Sequence, residues 1–140
     1  MKVILREKEK VLLRFERGEE MVSVLEEWCE KEKIYGAWVE GLGAADEVEV
    51  SYYDLGDREY KRALFEGMFE LLNLAGNIAA KGGKPLLHAH ATFSRPDFSV
   101  FGGHLHRMRI SGTGEILLQF VEAKMERQPD DETGLWLLRE

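Results

Sequence analysis

The chain has 140 residues, of which 44% are hydrophobic; this suits a single domain over residues 1–140 with its own core, and it excludes wholesale disorder. No apolar run reaches the ~20 residues of a membrane-spanning helix, and Met1-Lys2-Val3-Ile4-Leu5-Arg6 lacks the apolar core of a signal peptide, so the expected location is cytoplasmic with no membrane partner. The net charge is −7, and basic residues alternate with acids, as in Arg6-Glu7-Lys8-Glu9-Lys10; both features oppose direct binding to nucleic acid.

Val3 to Leu5 and Val11 to Phe15 are predicted strands around a charged turn. A helix is predicted over residues 19–33, where Met21, Val22, Leu25, Trp28 and Cys29 recur at helical spacing and form a core stripe. Cys29 is the one cysteine, which excludes an internal disulfide, and its neighbours mark it as a small buried hydrophobe. A strand over residues 34–43 ends at Gly41-Leu42-Gly43, and a half-exposed strand follows over 47–54. A second, shorter helix is expected around residues 63–69, followed by a strand over 78–80 and a loop at Gly82-Gly83-Lys84-Pro85. Gly112-Thr113-Gly114 is expected to separate the next hairpin from a strand over 115–123, residues 128–133 form a polar break, and residues 135–138 close the sheet. The predicted fold class is α+β, a sandwich-like domain with a largely antiparallel sheet of about seven strands and one or two flanking helices.

All four histidines fall within residues 86–106, in Leu86-Leu87-His88-Ala89-His90-Ala91-Thr92-Phe93-Ser94-Arg95-Pro96-Asp97 and Phe98-Ser99-Val100-Phe101-Gly102-Gly103-His104-Leu105-His106. Apolar stretches around Ser-Arg-Pro-Asp predict a hairpin, with Ser94 and Ser99 serving the turn. A turn centred on Pro96 would set His88 opposite His104 and His90 opposite Gly102. Residues two apart share a face of a strand, so His88, His90, His104 and His106 would all point to one side. Facing Cβ atoms about 4.5–5.5 Å apart allow two imidazoles to converge on one ion. His88, His90 and His104 are therefore the candidate metal or ligand site, and a packed polar patch is the competing reading. His106 is the weakest member and is equally explained as a solvated strand residue.

Other chemistry is poorly represented. No phosphate-cradling glycine loop and no Gly-x-Ser-x-Gly elbow is present. The His-x-His pair is similar to that of cupin-type metalloenzymes, but those place a Glu soon after the second His, and here Ala91, Thr92, Phe93 and Ser94 follow. Glu40, Glu66 and Glu70 are candidate bases only by their apolar or glycine-rich surroundings, and a surface or structural role suits each better. No catalytic residue is assigned. Charged residues are abundant while Gln and Asn are scarce, a bias reported for hyperthermophile proteins.

Two segments, Gly67-Met68-Phe69-Glu70-Leu71-Leu72-Asn73-Leu74-Ala75-Gly76-Asn77 and His88-Ala89-His90 with Gly102-Gly103-His104-Leu105, together resemble the PPC family, the plant- and prokaryote-conserved domain formerly of unknown function. The plant members carry a Gly-Arg-Phe-Glu-Ile-Leu-type core where this chain has Gly-Met-Phe-Glu-Leu-Leu. The resemblance implies an α/β fold with an antiparallel-rich sheet and a compact homotrimer. It also implies a zinc ion on His88, His90 and His104. In plant relatives the domain follows an AT-hook and supports contacts among DNA-associated proteins, with the segment matching Gly67, Phe69, Glu70, Leu71 and Leu72 implicated in partner contact. This chain has no Arg-Gly-Arg-Pro AT-hook or basic tail, and Met68 stands in place of the plant arginine, so neither direct DNA binding nor that charge's contacts transfer. Two functions follow as alternatives. One is a non-enzymatic, trimeric, zinc-binding module, DNA-associated or regulatory through protein partners, or binding a small ligand. The other is a metal-dependent enzyme acting on a small molecule, with Arg107, Arg109 and Glu70 as polar groups.

Overall fold

The computed structural model describes residues 1–139, an antiparallel-rich α+β domain. In chain order the elements are β1 (Lys2–Arg6), β2 (Lys10–Glu16), α1 (Met21–Glu32), β3 (Gly36–Asp54), β4 (Glu59–Lys81), β5 (Lys84–Ser94), β6 (Val100–Phe120), β7 (Glu126–Pro129) and β8 (Trp136–Arg139). β3 pairs with β4 and β6, and β5 pairs with the same two strands, so these four close on themselves. β1 and β2 extend the sheet beyond β6, while β7 joins β4 in parallel and carries β8 at the other end.

The helix forms where its apolar stripe predicts, with Met21, Val22, Leu25 and Cys29 buried. Its N-cap is Glu20, whose carboxylate accepts the amides of Val22 and Ser23 at 3.1 and 2.9 Å. The same carboxylate accepts the Met108 amide at 3.0 Å, which pins the start of α1 to β6. Lys33, in the left-handed region at φ 59°, ends the helix with its N–H on the Cys29 and Glu30 carbonyls. Burial pushes the Cys29 thiol up to about 12, in keeping with its place as a core hydrophobe. The helix stripe meets Val11, Leu13, Phe15, Leu74, Ile78, Phe93, Met108, Ile110, Ile116 and Leu118 in one core.

Three expectations are corrected. Residues 63–69 are strand, not a second helix: they lie within β4, where residues 63–66 and Phe69 pair with β3 on either side of a bulge, and cross-strand pairing overrides the helix preference of Ala-Leu-Phe-Glu. The glycine clusters at residues 41–43 and 112–114 do not end strands. They lie inside β3 and β6, where the register shifts and the long strands bend. Residues 128–133 are only partly a break, because Gln128 and Pro129 belong to β7.

Candidate metal centre

The hairpin of β5 and β6 turns through residues 95–99, with Ser94 opposite Val100. Phe98 takes φ 65°, and the amides of Arg95 and Phe98 bond the carbonyls of Ser99 and Arg95. His90 therefore faces His104, and Thr92 faces Gly102, two residues away from the register expected of a turn centred on Pro96. An even displacement preserves the face of every side chain. Leu87, Ala89, Ala91 and Leu105 enter the core, and the histidines between them stand on the opposite face. Gly102 is required for the approach of β5: a Cβ there would lie 2.4 Å from the Ala91 carbonyl oxygen.

His88, His90 and His104 offer ring nitrogens that all lie within 4.8 Å of one another. Their ring centroids are 5.0 Å apart for His88 and His104, 5.5 Å for His90 and His104, and 5.6 Å for His88 and His90. Nitrogens about 2.0–2.1 Å from one tetrahedral ion are about 3.4 Å apart, so small side-chain rotations close the triad. Burial, then Arg127 and His90, holds the His88 ring down to about 4. Burial, then His88, His106, His90 and Arg127, holds His104 down to about 3. Both rings are therefore neutral near pH 7, the form that a metal ligand needs. The all-imidazole donor set fits zinc, and nickel, copper and iron as well.

His106 lies outside the triad. Glu49 pairs with Arg107 and Val50 with Leu105, so β6 carries one extra residue here and His106 and Arg107 both leave the core. Ser51 Oγ lies 2.7 Å from His106 Nε2, and the ring sits 4.8 Å from that of His104. Burial, then Arg62, lowers the His106 pKa, opposed by Glu49.

The buried polar residues surround the histidines: Ser51, Asn77 and Arg127 are each 7% exposed. Arg127 Nη2 donates to Asn77 Oδ1 at 2.7 Å and lies 3.1 Å from His88 Nδ1. The Tyr60 ring lies tilted at 4.9 Å from that of His104 and edge-on at 5.3 Å to that of His106. Sequence reasoning missed Ser51, Tyr60, Asn77 and Arg127. Only Asn77 carried a signal, as one of two asparagines in an amide-poor chain.

Two cavities meet at Tyr60, His88, His104 and Leu135, one of about 460 Å³ reaching Arg127 and the other of about 640 Å³ reaching Tyr52, Phe65 and Phe101. A third, of about 370 Å³, is lined by His88, His90 and Glu40. Glu66 and Glu70 line none of the three. Arg107 pairs with Glu47, and Arg109 with Asp46 and Glu47, and neither arginine lines the three cavities.

In the 67–72 segment, Gly67 (φ 141°) sits at a bulge of β4, where the pairing with β3 shifts. Beyond it the exposure alternates: Met68, Glu70 and Leu72 face outward while Phe69 and Leu71 are buried in the core.

The plants and prokaryotes conserved (PCC) domain model matches residues 5–122. The chain belongs to this family. Among solved structures, the PCC domain described here is similar to a plant- and prokaryote-conserved protein of Pyrococcus horikoshii, with 33% identity and a TM-score of 0.86 over 94% of this chain and 91% of that one. A metal-containing protein of Archaeoglobus fulgidus is also 33% identical, with a TM-score of 0.88 over all of both chains. A Bacteroides thetaiotaomicron protein provisionally described as DNA-binding shares 25% identity and a TM-score of 0.92 over 96% of this chain and 94% of that one. None of the curated proteins matches the chain in sequence.

Proposed function

We propose that His88, His90 and His104 bind one divalent transition metal, zinc foremost, and that this PCC domain is a homotrimeric, non-enzymatic module presenting the metal to a small ligand or protein partner. The observation that carries the reading is the convergence of three imidazoles, two of them held neutral, on one face of a closed sheet. The metal-containing Archaeoglobus relative supports it. Three protein ligands leave a coordination position open, where a bound metal would act as a Lewis acid. Self-association is supported by Leu42, Leu64, Met68 and Leu72, apolar side chains of β3 and β4 that are each more than half exposed. Met68, Glu70 and Leu72, with Gly67 at the bulge, are the part of the 67–72 segment open to a partner; Phe69 and Leu71 would act only by shaping the strand. Direct DNA binding is opposed by the net charge of −7.

One observation favours the enzymatic alternative. Glu40 is exposed in the same groove as His88 and His90, where a proton acceptor for a substrate would stand. Cobalt substitution tests the metal reading. Visible absorption of a low-coordinate cobalt site in the native protein, absent from the variant with His88, His90 and His104 all replaced by Ala, is expected; identical spectra would overturn it. Light scattering then reads the assembly, and a monomer would overturn the trimer.

A further inference from the structure

Among the described residues, Arg127 is a buried cation with no counter-ion. It is 7% exposed, and its three hydrogen-bonding partners are neutral: Asn77 Oδ1 at 2.7 Å, His88 Nδ1 at 3.1 Å and the Trp136 carbonyl at 3.0 Å. Its Nε has no partner, and no carboxylate among the described residues forms an ion pair with it. A guanidinium taken out of water and met only by neutral groups is costly, and such groups are normally paired. Arg127 also lines the cavity of about 460 Å³ beside His88 and His104. Two more cations share that wall. Arg62 is held by Glu49 at 2.9 Å, and Lys81 lies over the Trp136 ring at 4.8 Å. Among the described residues Glu26 is the one carboxylate lining the cavity; it is committed to the Leu87 amide at 2.8 Å. Leu86, Leu135, Trp136 and Leu137 supply an apolar wall.

We infer that this cavity binds a small organic carboxylate, whose carboxyl group is the missing counter-ion of Arg127 and whose body packs against Leu135 and Trp136. Guanidinium groups recognise carboxylate and phosphate alike. The apolar wall and a volume well beyond that of a phosphate ion favour the organic acid. The assignment stands on Arg127 and its cavity. Only one addition rests on the three-histidine reading: a metal on neutral ligands keeps its full positive charge and strengthens the demand for an anion beside it.

The test is a nitrogen-edited NMR titration of the full chain, metal-free and zinc-loaded, with benzoate, with its neutral isostere benzamide, and with inorganic phosphate. Benzoate is expected to shift the Arg127 Nε–H and Trp136 indole signals saturably in the metal-free protein, and benzamide is not. Arg127→Gln should weaken benzoate binding at least about 30-fold, the loss expected when one partner of a buried charge pair is removed. Arg127→Lys should retain part of it. If Arg127→Gln fails to fold, the native protein decides alone: equal responses to benzoate and benzamide, or no response, overturn the site. Phosphate binding with no benzoate response overturns the organic ligand. Benzoate binding in a chain that takes no zinc would sink the metal reading and leave this one standing.

Discussion

Acidification of the metal-free protein probes the histidine face most sharply. In the unfolded chain a histidine charges below its ordinary value of about 6.5. In the folded chain His88 stays neutral down to about 4 and His104 down to about 3. The unfolded state thus binds more protons between these limits, so stability is intact above pH ~6.5 and falls as pH drops toward 4. Each histidine that charges only on unfolding contributes a slope of about 1.4 kcal/mol per pH unit, about 2.7 for the pair. Both rings keep a solvent-facing edge, and screening there reduces the accumulated loss by pH 4.5 to on the order of 3–4 kcal/mol. Urea unfolding at fixed protein concentration, at pH 7.5, 6.5, 5.5 and 4.5, measures it. The double variant His88→Gln, His104→Gln should lose the steep segment and keep a shallower fall from His106, whose pKa is also lowered, and from the carboxylates at lower pH. Equal slopes for both proteins between pH 6.5 and 4.5 would refute the claim that these rings are held neutral.

Three further outcomes follow from the packing. Glu20→Ala removes an acceptor shared by the amides of Val22, Ser23 and Met108, and should cost about 1–3 kcal/mol by denaturant unfolding; a loss below half of that would mean that water replaces the carboxylate. Gly76→Ala would place a Cβ 2.3 Å from the His88 carbonyl oxygen and 2.7 Å from the Ala89 Cα, pushing β5 away. It should destabilise the fold by about 1–3 kcal/mol, the usual range for overpacking, and weaken metal binding with it; unchanged melting and metal affinity would contradict the close approach. Leu72→Glu, on the exposed apolar face of β4, should shift the mass in light scattering toward the monomer while leaving the circular dichroism spectrum intact; an unchanged mass would place the subunit interface elsewhere.

The histidine face was legible because it depends on parity alone. His88, His90 and His104 keep their side of the sheet under any even change of register, so a turn centred on Asp97 in place of Pro96 left the triad intact. Cys29 and the helix stripe were legible for a similar reason, since a single periodicity decides them. Strand length was not. Gly41-Leu42-Gly43 and Gly112-Thr113-Gly114 carry turn composition, yet in strands held on both edges such glycines mark bends and close approaches. Residues 63–69 have local helix preference, and only their pairing with β3 makes them strand. Arg127 was beyond reach. It arrives on a four-residue strand after a polar segment, and its partners Asn77 and His88 are 50 and 39 residues away in sequence.

Zinc content tests the central claim most directly. Untagged protein, stripped with chelator, reloaded with zinc and desalted, would be compared with the same preparation of His104→Ala by elemental analysis. About one zinc per chain in the native protein and none in the variant is the predicted result for a three-histidine site. Equal zinc in both, or none in either, would contradict it and leave the three histidines as a packed polar patch.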